Sequence, residues 1–365
     1  MKISERISLV AALLFILLCQ TGFAQEVIKE SFMFAPGLFA DRYYANRASS
    51  GSSPVVCNSD APACSCNCNA DGARLEKSPA VIFMFGGSFY TGTRDRADYI
   101  PYFHYLAENG YQVFSIDYRL GLKPMLEAIE RGDFSGGEKM GKIEMLKGAV
   151  TMLQKSIDMA VEDLYKATAF VIGNAGRWGI DTSLIVTSGS SAGAITALQG
   201  EYYICNWSGV TEGNDAGGRV RPYDYMPQGF RYAGVVAFAG AILNSDGKMK
   251  WNSTPAPMML FHGNADCNVP YGKLWTPFAS FNGSEYIAEK LTEMEAPHYF
   301  YSIENATHSV AISPMKDNLP QIIGFLEEFV IGKKDYITNT YVREAGVEPL
   351  KRRIKIKDYI KANFE

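Results

Sequence analysis

The chain alternates short, unbroken apolar runs with longer stretches in which apolar positions recur every three or four residues. Residues 80–85 (A-V-I-F-M-F), 233–238 and 257–261 are runs of the first kind, and 111–117 (Y-Q-V-F-S-I-D), 184–187 and 299–303 are mostly apolar runs that read as strands with them. An extended segment that is apolar on both sides of its pleat predicts a strand buried on both faces. Between these runs, residues 98–109, 147–172, 192–203, 285–294 and 319–331 carry helical spacing, and the longest repeats it through Met152, Ile157, Val161, Leu164 and Ala167. Residues 27–34 and 42–47 read as an antiparallel β start. Buried strands alternating with helices predict an α/β fold with a mostly parallel central sheet and helices on both faces. The alternation runs without a break from about 80 to 331, which predicts one domain over residues 25–365.

Three stretches break the rhythm. Residues 57–73 are rich in Cys, Ser, Asn and Asp and read as a surface loop. Residues 121–147 and 206–231 are Gly-rich and polar and read as insertions, with Met125, Met140, Met145, Trp207, Tyr223 and Tyr225 available to border a pocket or complete the core. The basic tail beyond Ile331 (K-R-R-I-K-I-K-D) reads as solvated. The balance of 35 basic against 39 acidic residues leaves a net charge of -4. With no basic stripe or RNA-binding motif, nucleic acid is not an expected partner.

The N-terminus changes the picture more than the composition does. Lys2 and Arg6 precede an apolar run over 7–18, and Gly22-Phe23-Ala24 offers small residues at a cleavage site. This predicts a signal peptide over residues 1–24 and a secreted or periplasmic mature chain. The run is too short to span a bilayer comfortably, and Leu18 is too large to precede a lipidated Cys19, so no stable membrane insertion is expected. Cleavage leaves Cys57, Cys64, Cys66, Cys68, Cys205 and Cys267, an even count that fits disulfides in an oxidising compartment, with the pairing open. C-x-C-x-C lacks the separated pairs of a zinc site, so no metal is expected. Sequons at Asn206, Asn252, Asn282 and Asn305 matter only in a host that glycosylates, and a bacterial source with unused sequons is the expectation.

The candidate chemistry begins at residues 186–194, V-T-S-G-S-S-A-G-A. Gly189-x-Ser191-x-Gly193 lies between a strand and a helix, which is the setting of a nucleophile elbow. Ser191 takes the nucleophile slot and Ser190 is its neighbour. A serine hydroxyl needs a base to take its proton. Of the four histidines, His308 lies on a loop between the last strand and the closing helix, in the order Ser, acid, His. His104 falls mid-helix, His298 starts a strand, and His262 ends one, each in a packing or hydrogen-bonding role. Asp266, a few residues past the strand at 257–261, is the acid that would hold the His308 tautomer. Asp246 follows an earlier strand and is the poorer candidate. An oxyanion hole needs backbone N–H groups. Ala192, after the nucleophile, supplies one, and Gly87 and Ser88 in F-G-G-S-F-Y-T-G supply the other.

These stretches, with S-I-D-Y-R-L, A-V-E-D-L-Y-K-A, F-V-I-G-N-A-G-R-W-G-I-D, H-G-N-A-D-C-N-V-P and T-H-S, make residues 75–331 resemble the α/β-hydrolases of the carboxylesterase and hormone-sensitive-lipase type. The resemblance implies ester hydrolysis without metal or organic cofactor, a Ser191–His308–Asp266 triad, and an oxyanion hole at Gly87, Ser88 and Ala192. Phe85 stands where the family usually has histidine, and Ser88 where it has a third glycine. Asp117-Tyr118-Arg119, Glu162 and Asp163 are implied to be structural. The expected substrates are small-molecule or polymer-linked esters with short-to-medium acyl groups, acetyl and feruloyl esters of polysaccharides among them. A peptidase of the prolyl-oligopeptidase type and a non-catalytic exported binding module are the alternatives.

Overall fold

The computed structural model describes residues 26–46, 77–131, 141–207, 220–245, 249–351 and 354–364. The expected signal peptide, the cysteine-rich segment 57–73, Met140 and Asp246 lie outside them. In chain order the elements are β1 (Val27–Ala35), β2 (Leu38–Ala45), β3 (Ser78–Met84), α1 (Ile100–Glu108), β4 (Gln112–Ile116), α2 (Lys123–Glu130), α3 (Lys142–Trp178), β5 (Ile180–Ser190), α4 (Ala192–Cys205), β6 (Gly234–Phe238), β7 (Ala241–Asn244) and β8 (Met258–Gly263). There follow β9 (Lys273–Trp275), β10 (Ser280–Gly283), α5 (Ser284–Glu293), β11 (His298–Ile303), α6 (Pro314–Asp317), α7 (Leu319–Phe325), β12 (Ile337–Val342) and α8 (Ile356–Phe364).

Nine of these strands form one sheet in the order β1-β2-β4-β3-β5-β6-β8-β11-β12. Its first two ladders, β1–β2 and β2–β4, are antiparallel. All the rest are parallel. Every residue of β4, β6 and β8 is buried, as a sheet covered on both faces requires. One helical group, α3 with α4, packs on β5, and another joins α1 to α6 and α7. Part of the core is an aromatic cluster. Phe83 on β3 meets Tyr99, Phe103 and Tyr102 at 4.8, 4.9 and 6.0 Å between ring centroids, and Tyr102 continues to Phe238 on β6 at 5.6 Å. Such tilted and edge-on pairs add to the stabilisation from burial.

The chain runs from β3 to β4 on one side, then crosses back to place β5 on the other side of β3. Strand order reverses there, so the connections that leave the C-terminal ends of β3 and β5 part in opposite directions and leave a crevice, the position where open α/β sheets bind ligands. The crevice is therefore set by connectivity before any catalytic side chain is considered.

The structure corrects several expectations. The tail beyond Ile331 is not wholly solvated: β12 extends the sheet parallel to β11, and Tyr359 of α8 is buried. The partner edge decided this, since β11 offers a row of unpaired backbone groups to a segment with little hydrophobicity of its own. Part of the first insertion is helical, in α2 and the first turn of α3. β7, β10 and β9 form a small antiparallel sheet from strands too short to show a period. The closing helix is regular only to Phe325, and residues Leu326–Ile331 widen into a π turn. Cys205 is a buried thiol that donates to Glu201 Oε1 at 3.1 Å, and it has no disulfide partner among the described residues. Asn282 is fully buried with its side-chain amide donating to the Ile242 carbonyl, so its sequon cannot carry a glycan in the folded chain.

Candidate active site

Ser191 stands at the junction of β5 and α4 with φ 52° and ψ -115°, backbone angles that a side chain rarely adopts. Such a conformation costs about 1–3 kcal/mol and persists only where the surroundings enforce it. Here the Ser191 amide donates to the Phe238 carbonyl at 2.8 Å, which clamps the turn to the end of β6. The flanking glycines answer to space. A Cβ on Gly193 would lie 2.1 Å from the Met84 carbonyl oxygen, and one on Gly189 would lie 2.3 Å from the Gly193 carbonyl carbon. Strand and helix cross too closely for any side chain, and the hydroxyl is left standing above the sheet edge.

The base and acid come from two loops stitched to each other. The Ala265 amide donates to the Ala306 carbonyl at 3.0 Å and the Asn264 amide to Ile303 at 3.2 Å, joining the loop after β8 to the loop after β11. The Asn305 amide adds a bond to Asn264 Oδ1 at 2.7 Å. Asp266 and His308, 42 positions apart, are brought face to face by this seam. His308 Nδ1 lies 2.7 Å from Asp266 Oδ2, and His308 Nε2 lies 2.8 Å from Ser191 Oγ. Asp266 is fully buried, whereas the His308 side chain is 24% exposed. The three side chains selected from the sequence therefore meet in one hydrogen-bonded line at the crevice. The fold is that of an α/β-hydrolase.

Comparison with protein-family models finds no match, and comparison with curated proteins finds none. Among solved structures, the chain is similar to esterase 2 of Thermogutta terrifontis phosphoramylated by tabun, with 18% identity, a TM-score of 0.48, and coverage of 85% of this chain and 95% of that one. The native form of the same thermophilic esterase gives 18% identity and 0.47 over 86% and 94%. Its butyrate-bound form gives 18% and 0.48 over 86% and 95%. At this distance the likeness does not carry a reaction across, and the chemistry rests on the geometry of the chain itself.

That geometry orders the protons. Asp266 Oδ1 accepts the amides of Asn268 at 2.7 Å and Val269 at 3.0 Å, which leaves Oδ2 for His308. Burial by itself would push the Asp266 carboxyl up, but its hydrogen bonds to His262 and His308 outweigh burial and hold it well below the usual carboxylate range. A permanent carboxylate beside Nδ1 keeps the proton there, so Nε2 faces the serine hydroxyl as an acceptor.

The loop after β3 lies across the crevice. Gly87 has φ 141° and the next two residues, Ser88 and Phe89, have φ 54° and 56°. A Cβ on Gly87 would sit 1.9 Å from the Thr91 carbonyl oxygen, so the turn admits only glycine. The Gly87 carbonyl is used by the amides of Tyr90 and Thr91, and the Gly86 amide donates to the Tyr99 hydroxyl. Among the described residues, the amides of Gly87, Ser88 and Ala192 form no hydrogen bond with the protein. Gly86 of this loop lies against Ser190 and Ser191, and an oxyanion forming at Ser191 would need donors of this kind. Ser88 is exposed, so a side chain in place of a third glycine is accommodated in solvent.

The remaining candidates fall into supporting places. Phe85, in the usual histidine slot, stacks on Tyr118 at 4.5 Å, and the Tyr118 hydroxyl donates to the Phe85 carbonyl. Arg94 bonds Asp117 Oδ2, which also accepts the Phe39 amide. Arg119 bridges Glu162 and Asp163 on α3. His104 packs beside Tyr43, and His298 is buried with Nδ1 on the Ala296 carbonyl. A cavity of about 320 Å³ borders the second insertion, lined by Asp158, Glu162, Arg221 and Tyr225 among others and by none of the triad. Two residues have more to do than their sequence positions suggested. Ser190 Oγ donates to the Ala311 carbonyl at 2.8 Å, tying the elbow to the turn that carries His308. His262 lies on Asp266 Oδ2 at 3.3 Å. The doubled serine and the histidine of H-G-N-A-D were the signals, and neither has meaning until the loops are brought together.

Proposed function

We propose that this chain is an exported serine esterase that hydrolyses short-to-medium acyl esters, including acyl groups on extracellular polysaccharides. Ser191 Oγ attacks the ester carbonyl while His308 Nε2 takes its proton, and Asp266 stabilises the imidazolium that forms. The amides of Gly87, Ser88 and Ala192 receive the oxyanion. His308 then passes its proton to the leaving alcohol, the acyl group remains on Ser191, and water activated by the same imidazole releases the acid. The observation that carries this reading is the pair of contacts at 2.8 and 2.7 Å joining Ser191, His308 and Asp266 at the elbow.

The test is a panel of p-nitrophenyl esters of increasing acyl length, run beside an aminoacyl p-nitroanilide, with wild type and Ser191→Ala. Ester turnover that peaks at short or medium chains and disappears in the variant supports the proposal. Faster turnover of the anilide moves the chain to the peptidase alternative, and no turnover by wild type of either kind refutes both. Export is supported by the charged and apolar pattern of residues 1–24. It is tested by N-terminal sequencing of protein recovered outside the cytoplasm, which should begin at Gln25.

A further inference from the structure

His262 is a fully buried imidazole that the triad mechanism does not use. It is the penultimate residue of β8, four residues before Asp266, and its two ring nitrogens have different surroundings. Nε2 faces two acceptors, Asp266 Oδ2 and the Val269 carbonyl, each at 3.3 Å. Nδ1 faces the Ser284 hydroxyl at 2.8 Å, and Ser284 begins α5. Two acceptors on one nitrogen require that nitrogen to carry the proton, and the hydroxyl of Ser284, 2.8 Å from Nδ1 and 3.4 Å from the Gly240 carbonyl, then gives its proton to the nearer Nδ1. Asp266 is left with four donors: two backbone amides on Oδ1 and two imidazole N–H groups on Oδ2.

We propose that His262 is a positioning residue for ester hydrolysis, holding Asp266 Oδ2 so that the carboxylate is locked toward His308 and shares its charge between two imidazoles. The proposal rests on the triad reading above and goes beyond it by dividing the role of the acid. A carboxylate that accepts a second N–H has less charge to offer His308 than one facing His308 alone. The titratable groups around this centre are His308 and His262 on Asp266, and Tyr359 of α8, whose hydroxyl is pushed up first by burial and then by the Asp266 charge. Tyr271 stands edge-on to the His262 ring at 5.6 Å. Burial raises both tyrosine hydroxyls, so they stay protonated through the neutral range.

The experiment compares kcat, KM and the pH profile of kcat/KM for wild type, His262→Leu, His262→Gln and His262→Asn, with folding checked by thermal melt. Glutamine places an N–H near the Nε2 position and still reaches Asp266. Asparagine reaches only toward Ser284. The expected result is a loss in kcat on the order of 10²-fold for the leucine variant, with KM little changed. Its acid limb moves to higher pH, because Asp266 then faces His308 alone. The glutamine variant recovers most of both changes and the asparagine variant does not. A folded leucine variant with wild-type kcat overturns the proposal, as does a loss with the acid limb unmoved. Should the leucine variant not fold, equal kcat and equal acid limbs for the glutamine and asparagine variants overturn it. Labelling of Ser191 by a fluorophosphonate separates the two levels. Wild type that neither labels nor hydrolyses brings down the esterase reading and this inference together, whereas an active wild type with indistinguishable His262 variants brings down this inference alone.

Discussion

The two halves of the site are built in opposite ways. The nucleophile half is local: β5, the turn at Ser191 and α4 are consecutive, and the strained angles at φ 52° are enforced by glycines whose neighbours leave no space for a Cβ. The acid–base half is long-range: Asp266 and His308 sit on separate loops that are placed by backbone bonds between Ala265 and Ala306 and between Asn264 and Ile303. Rigidity in the first half comes from covalent geometry and close packing, and in the second from a network of hydrogen bonds. The difference teaches where each half is vulnerable. Adding atoms damages the nucleophile half, and removing donors or acceptors damages the other.

Substitutions can break or sharpen this contrast. Ser191→Ala removes the attacking atom and should lower kcat on the order of 10⁶-fold with the melting temperature preserved, measured by ester turnover and calorimetry. Asp266→Asn keeps the shape of the second half but allows the wrong His308 tautomer. It should lower kcat on the order of 10⁴-fold, with KM unchanged as the check that binding survives. Gly193→Ala tests the first half by addition. Its Cβ would meet the Met84 carbonyl at 2.1 Å, and a loss of about 3 kcal/mol in denaturant unfolding is expected along with activity. Ser190→Ala tests the tie between halves. It leaves the buried Ala311 carbonyl without its 2.8 Å partner, which should cost about 1–2 kcal/mol and a modest part of kcat.

The smallest effect lies outside both halves. Burial acts to raise the Glu162 carboxyl, but Lys166 and Arg119 overcome it and hold the group down to about 2. A carboxyl depressed in the folded state lends stability that is complete above its unfolded value of 4.5 and is lost as pH falls toward about 2. Thermal melts of Glu162→Gln and wild type should therefore differ slightly at neutral pH and converge in acid. A gap that stays constant with pH would show that the ion pairs contribute nothing.

The same contrast explains what could be read ahead of the structure. The runs at 80–85 and 233–238 were legible as strands because a strand buried on both faces must be apolar throughout. The elbow was legible because three small or reactive residues in five positions record a local crowding. His308 and Asp266 were legible only through their order along the chain. The doubled duty of Asp266 with His262 was not legible, because a histidine at a strand end has the same sequence signature whether it packs or holds a carboxylate. Ser190 was passed over for the same reason, since its partner is a backbone carbonyl 121 residues away. β12 and the short strands β7, β9 and β10 escaped because a neighbouring edge, rather than their own period, makes them strands.

By itself the sequence determined the alternation of buried strands and helices, the elbow, and the residue types available for acid, base and nucleophile, because burial and steric crowding act on neighbours in the chain. Only the tertiary structure decided which of the four histidines meets Ser191, how many donors converge on Asp266 and where the tail lies. Those outcomes depend on hydrogen bonds between segments far apart in sequence, whose directions no local pattern encodes.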